Sequence, residues 1–192
     1  MPRPGIREYF GDWRYRWRPE SDVIRRIDVG ARTFLVTDLD DEVESQDVEL
    51  ELLEIEGEQG DEISLDYSLN REVLDSPFEI ADGVTIPVDD YRFERSSIGG
   101  STSRGRAIDL SASYEGGDFF TGQRDRYSVG ANWRISPSLN VGGTLEYNDI
   151  DLPEGRFITR IARLRFNVQF TPDLTWSNFA QYDNFSDSIG LN

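Results

Sequence analysis

The chain has 192 residues, no Cys, no His, and 37 acidic against 20 basic residues, for a net charge of −17. Every basic residue is Arg, which excludes Ser-His-Asp and Cys-His nucleophiles, His/Cys zinc sites, P-loop lysines, Schiff bases and disulfides. A pI near 4.3 is the reverse of a nucleic-acid footprint, and no window approaches the roughly 20 apolar residues of a membrane-spanning helix.

The first stretch, MPRPGIREYFGDWRYRWRPE, is aromatic and Arg-rich without an apolar h-region, so it does not read as a signal peptide. Within it Trp13, Tyr15 and Trp17 alternate with Arg14, Arg16 and Arg18, which makes residues 1–23 a strand and turn. Residues 24–37 and 43–56 follow as two further strands. In the second of these, Val48, Leu50 and Leu52 oppose Asp47, Glu49 and Glu51. The apolar parity then flips at Leu53 and Ile55, the mark of a bulge or of the strand's end. Alternation resumes over 63–70, is looser over 91–102, and is strict over 108–115, 127–134, 139–148 and 162–170. Residues 174–183 make a tenth strand, and Phe185 to Asn192 begins an eleventh. Because successive strand side chains point to opposite faces, each segment has one apolar and one polar side. The expected fold is all-β in a single domain over 1–192.

The connections are expected to sort by length. Tight turns are read at Pro19–Asp22, Gly57–Asp61, Ser103–Arg106, Ser136–Ser138 and Thr171–Asp173. Longer loops are read at Thr37–Glu42, Asp75–Asp90, Gly116–Asp125, Asp149–Gly155 and Asp183–Ser188. Short turns at one end and long loops at the other describe an antiparallel up-and-down transmembrane β-barrel, incomplete at about ten strands. Tyr127, Trp133, Tyr147, Trp176 and Tyr182 sit towards the ends of apolar faces, where rings bridge hydrocarbon and headgroups. Polar runs such as Arg163, Arg165, Asn167 and Gln169 would be costly in a dry interior but can line water. Arg14, Arg16, Arg18, Asp47, Glu49, Glu51, Arg163 and Arg165 are therefore the expected lumen-facing charges. They would either set a transverse field or pair across strands, and cross-strand pairing is the plainer reading.

Two acidic loops, Asp38–Glu42 and the group Asp149, Asp151 and Glu154, offer hard oxygen ligands but lack EF-hand spacing, so no metal is expected. Glycoside hydrolysis needs only two carboxylates, but nothing marks one pair among 37 acids, so no catalytic residue and no cofactor is assigned.

The segment from Trp133 to Asn192, with DLPEGRF, the strand Thr159–Leu164 and the run Trp176–Asn184, resembles the C-terminal domain of a bacterial family, as does PFEIADGVTIPVDDYRF (77–93). Members of that family carry an N-terminal carbohydrate-binding module of the family-nine type and an uncharacterised outer-membrane-barrel-like C-terminal domain. The likeness covers most of the chain, is most specific from about Pro77 onward and is weaker before Asp38. The resemblance implies a fragment whose binding module lies outside this sequence, with the lipid bilayer as partner and glycans reached through that module. The expected role is a pore or membrane anchor in the bacterial outer membrane. Two rivals remain at this point. A soluble, secreted acidic sheet protein would bury Tyr127, Trp133 and Trp176 under a second sheet, and a carboxylate glycosidase would show a cleft with two facing acids.

Overall fold

The computed structural model describes residues 5–185 and 188–191. Thirteen strands occur there in chain order: β1 (Ile6–Trp17), β2 (Ile24–Asp38), β3 (Val43–Gly57), β4 (Glu62–Val73), β5 (Phe78–Ala81), β6 (Val84–Ile86), β7 (Asp90–Ser101), β8 (Ile108–Phe119), β9 (Gly122–Ser136), β10 (Leu139–Leu152), β11 (Gly155–Thr171), β12 (Leu174–Asp183) and β13 (Ser188–Leu191). Eleven of them form one antiparallel up-and-down sheet in the order β1-β2-β3-β4-β7-β8-β9-β10-β11-β12-β13, and β5-β6 is a separate hairpin. Each of the eleven sheet strands overlaps a segment expected as a strand, six of them from clear alternation, although β8–β11 extend beyond the expected bounds. The hairpin inside the 75–90 connection overlaps none.

The parity flip in β3 is a bulge. Glu51 pairs Asp66 and Leu53 pairs Leu65, so Leu52 is the extra residue that returns Leu53 and Ile55 to the apolar face. Three of the shortest turns begin with Pro (Pro137-Ser138, Pro153-Glu154 and Pro172-Asp173), whose fixed φ suits the first corner of a turn. At Gly117 the φ is +145°, and a Cβ there would lie 2.2 Å from the Glu94 carbonyl oxygen. Only glycine lets β8 approach β7 so closely.

One expectation is corrected. The loops read at Gly116–Asp125 and Asp149–Gly155 are strands, joined only through Phe120-Thr121 and Pro153-Glu154, so length does not sort the connections. The sheet is open, as an incomplete set of strands leaves it. Among the described residues, β1 pairs only β2 and β13 pairs only β12.

The register places all four Trp residues on one face: Trp13 opposite Ala31, Trp17 opposite Ile27, Trp133 opposite Ile108 and Val141, and Trp176 opposite Val168. Val129, Leu145 and Leu164, in the middle of that face, are 51%, 60% and 54% exposed, so no second layer covers it. Tyr114, Tyr127 and Tyr147 stand in register across β8–β10, with ring centroids 5.0 and 6.3 Å apart. Beyond this tyrosine row the same face turns charged, with Asp125, Asp149, Asp151 and Arg156. From Tyr127 to Ile135 the apolar stretch of β9 measures roughly 26 Å at about 3.3 Å per residue.

The opposite face changes in the complementary sense. Below the tyrosine row it is polar, but above it Tyr91, Phe93, Ile150 and Leu152 are buried and Phe119 and Phe157 are partly buried. Onto these pack Ala81, Val84 and Ile86 of the hairpin, with Ile86 fully inaccessible. The hairpin reaches as far as β11, where a Cβ on Gly155 would meet Val84 at 2.7 Å. This cluster is the hydrophobic core of the described chain, and it sits at one end of the polar face.

Candidate functional site

The polar face below the hairpin gathers most of the charges expected there. Arg14 (β1) and Glu51 (β3) both lie in register with Gly30 of β2, and the missing side chain at Gly30 leaves room for a 2.7 Å ion pair across it. Arg16 donates two 2.8 Å hydrogen bonds to Asp28, which is fully inaccessible. Arg26 also pairs with Asp28, and reaches Glu54 at 2.8 Å, Glu56 at 2.5 Å and Glu62 at 3.5 Å. One guanidinium thus serves four carboxylates. Arg32 pairs with Glu49 at 3.2 Å, and Asp47 accepts a hydrogen bond from Asn70.

The β7–β11 side inverts this ratio. Glu115 is shared by Arg95 (3.8 Å) and Arg124, and Glu146 by Arg126 (2.9 Å) and Arg163 (3.7 Å). Arg163 also donates to Gln181 at 3.1 Å. Arg165, in register with Gly142 and Phe179, is exposed on the same face. Arg18 falls just past the end of β1 and is exposed in the turn. The five aromatics expected at a lipid interface, Tyr127, Trp133, Tyr147, Trp176 and Tyr182, all occupy the opposite, apolar face.

Curvature of the polar face makes a trough of about 450 Å³, running from β1 to β9. The sequence reading missed its Arg95, Arg124 and Arg126, and missed Arg26 and Asp28 beside it. Arg26 and Asp28 share one parity in a strand whose alternation is irregular, and that pairing was the available signal.

Neither acidic loop is arranged as a cation site. Asp38 Oδ1 accepts hydrogen bonds from its own loop at the Asp40 and Glu42 amides (2.9 and 2.8 Å), and Asp41 pairs with Arg7. Glu154 accepts from Thr121 at 2.5 Å. Among the described residues no cluster of three or more metal-ligating side chains occurs.

On the charged rim beyond the tyrosine row, Arg156 donates two hydrogen bonds to Asp149 (3.0 and 2.7 Å) and holds its carboxyl below the usual carboxylate range. Arg71 does the same for Asp90. Such a lowered group favours the folded state above the ordinary carboxylate range, and the contribution disappears as pH falls through the lowered native value. Arg156→Gln is therefore expected to return Asp149 to the ordinary range, read by carboxylate carbon NMR between pH 2 and 6. Titration unchanged by the substitution would refute the pairing.

No protein-family model matches the chain, and no curated protein or solved structure is significantly similar to it.

Proposed function

We propose that this chain is part of a bacterial outer-membrane β-barrel, with its apolar face against lipid and its polar face towards water, serving as pore or membrane anchor without catalysis of its own. The observation that carries this reading is the uncovered apolar face, closed at one edge by a tyrosine row and then by charges. A stretch of roughly 26 Å along the strand suits the ~25 Å apolar band of such barrels once tilt and flanking rings are included. A soluble sheet with Tyr127, Trp133 and Trp176 half exposed on one continuous side would present a large aggregation-prone patch. The ionic ladders of the polar face suit a wetted wall, where partly exposed pairs are tolerated at small net cost.

The four Trp residues supply the test, because all of them lie on the apolar face. In vesicles of lipids brominated along the acyl chains, tryptophan emission is expected to be strongly quenched, while aqueous iodide quenches little. Strong iodide quenching without bromolipid quenching would refute membrane insertion.

A further inference from the structure

The polar trough is electrically divided. Its β1–β4 wall contributes four carboxylates, Asp12, Glu49, Glu51 and Asp66, against the guanidiniums of Arg14 and Arg32. Its β7–β9 wall reverses this, with Arg95, Arg124 and Arg126 against the single carboxylate of Glu115. The trough as a whole is neutral, and each wall carries the surplus the other lacks. The ion-pair pattern has the same asymmetry, since Arg26 is shared among four acids on one side while Glu115 and Glu146 are each shared between two arginines on the other. Within the trough, Glu51 Oε1 on the first wall and Arg95 Nε and Arg124 Nε on the second have no hydrogen-bond partner among the described residues. These three atoms are buried beneath the trough floor, so it is the surplus of carboxylates on one wall and of guanidiniums on the other that a solute meets.

We propose that this trough binds small solutes that carry a cationic and an anionic group together, of the amino-acid or short-peptide kind. The ammonium lies towards Glu51 and Asp66 and the carboxylate towards Arg95 and Arg124. The proposal rests on the reading of the polar face as a wetted wall. A lone cation or a lone anion meets one favourable and one opposing wall, whereas a dipolar solute satisfies both and replaces water at both ends. A volume of about 450 Å³ lies within the range of small-molecule sites.

The test uses the full chain refolded in detergent micelles, titrated calorimetrically with glycylglycine, sodium acetate and choline chloride at matched ionic strength. Glycylglycine is expected to bind at least about tenfold more tightly than either singly charged probe, and Glu51→Gln and Arg124→Gln are each expected to weaken it by about tenfold. Arg156→Gln, on the other face, should leave binding unchanged, and circular dichroism reports whether each variant keeps its strands. Equal binding of the three probes overturns the proposal, as does unaltered affinity in folded Glu51→Gln and Arg124→Gln. If a variant does not refold, the ranking of the probes on the unaltered chain decides. Lipid quenching of tryptophan separates the two readings: a glycylglycine preference without quenching keeps the trough and removes the membrane, and quenching without preference does the reverse.

Discussion

Leu164→Arg is expected to destabilise the membrane-inserted sheet by about 2–4 kcal/mol, the cost of an arginine on the lipid face near the bilayer midplane. Leu164 is 54% exposed and stands in register with Gly143 and Ala180, and Gly143 with Ala131, halfway along the apolar stretch from Tyr127 to Ile135. For a protein in water, a substitution at so open a position changes stability by no more than about 0.5 kcal/mol. The same change at Asp149, beyond the tyrosine row, should cost little in the bilayer because depth sets the penalty. Urea unfolding from lipid vesicles reads both. A Leu164→Arg loss no larger than the Asp149→Arg loss would mean that this face does not contact hydrocarbon.

Asp28→Ala should cost about 3 kcal/mol, by a different mechanism. Asp28 is wholly inaccessible and is held by both Arg16 and Arg26. Its removal strands the Arg16 guanidinium, whose two hydrogen bonds both end on that carboxylate. Breaking a buried pair from one side costs about 3–5 kcal/mol, and the partial exposure of Arg16 places this case at the lower end. Replacing both partners, Arg16→Met with Asp28→Leu, should restore much of the loss because no unpaired charge remains. The same unfolding experiment tests this. A loss under about 1 kcal/mol for Asp28→Ala would show that the network contributes nothing net.

The fold was legible wherever one face stays apolar along a whole strand. β8 to β11 alternate cleanly below the tyrosine row, and even the Leu52 bulge announced itself as a change of parity. The errors arose where the two faces exchange character. Above the tyrosine row the apolar positions are Phe119, Ile150, Leu152 and Phe157 on the side covered by the hairpin, while Asp125, Asp149 and Asp151 occupy the other. A strand whose polarity inverts without a bulge looks like a polar loop, and so β8–β11 were cut short. The hairpin itself had a readable turn, Asp82-Gly83 between Ile80 and Val84, with Gly83 at φ +74°. Of the charges, those that come in runs on one strand, such as Arg14 with Arg16, Asp47 with Glu49 and Glu51, and Arg163 with Arg165, were legible. Arg95, Arg124 and Arg126 were not, since their partners Glu115 and Glu146 come from other strands and only the register reveals the sharing.

Each strand of the large sheet bonds to its neighbour in the chain, and only the β5-β6 excursion interrupts that order between β4 and β7. Almost every stabilising contact therefore joins residues a few tens of positions apart, which gives a low contact order for an all-β molecule. No distant segment has to be captured before a new strand can add. The sheet can grow as a zipper from any formed pair, and the docked hairpin is the step that fastens successive rows together.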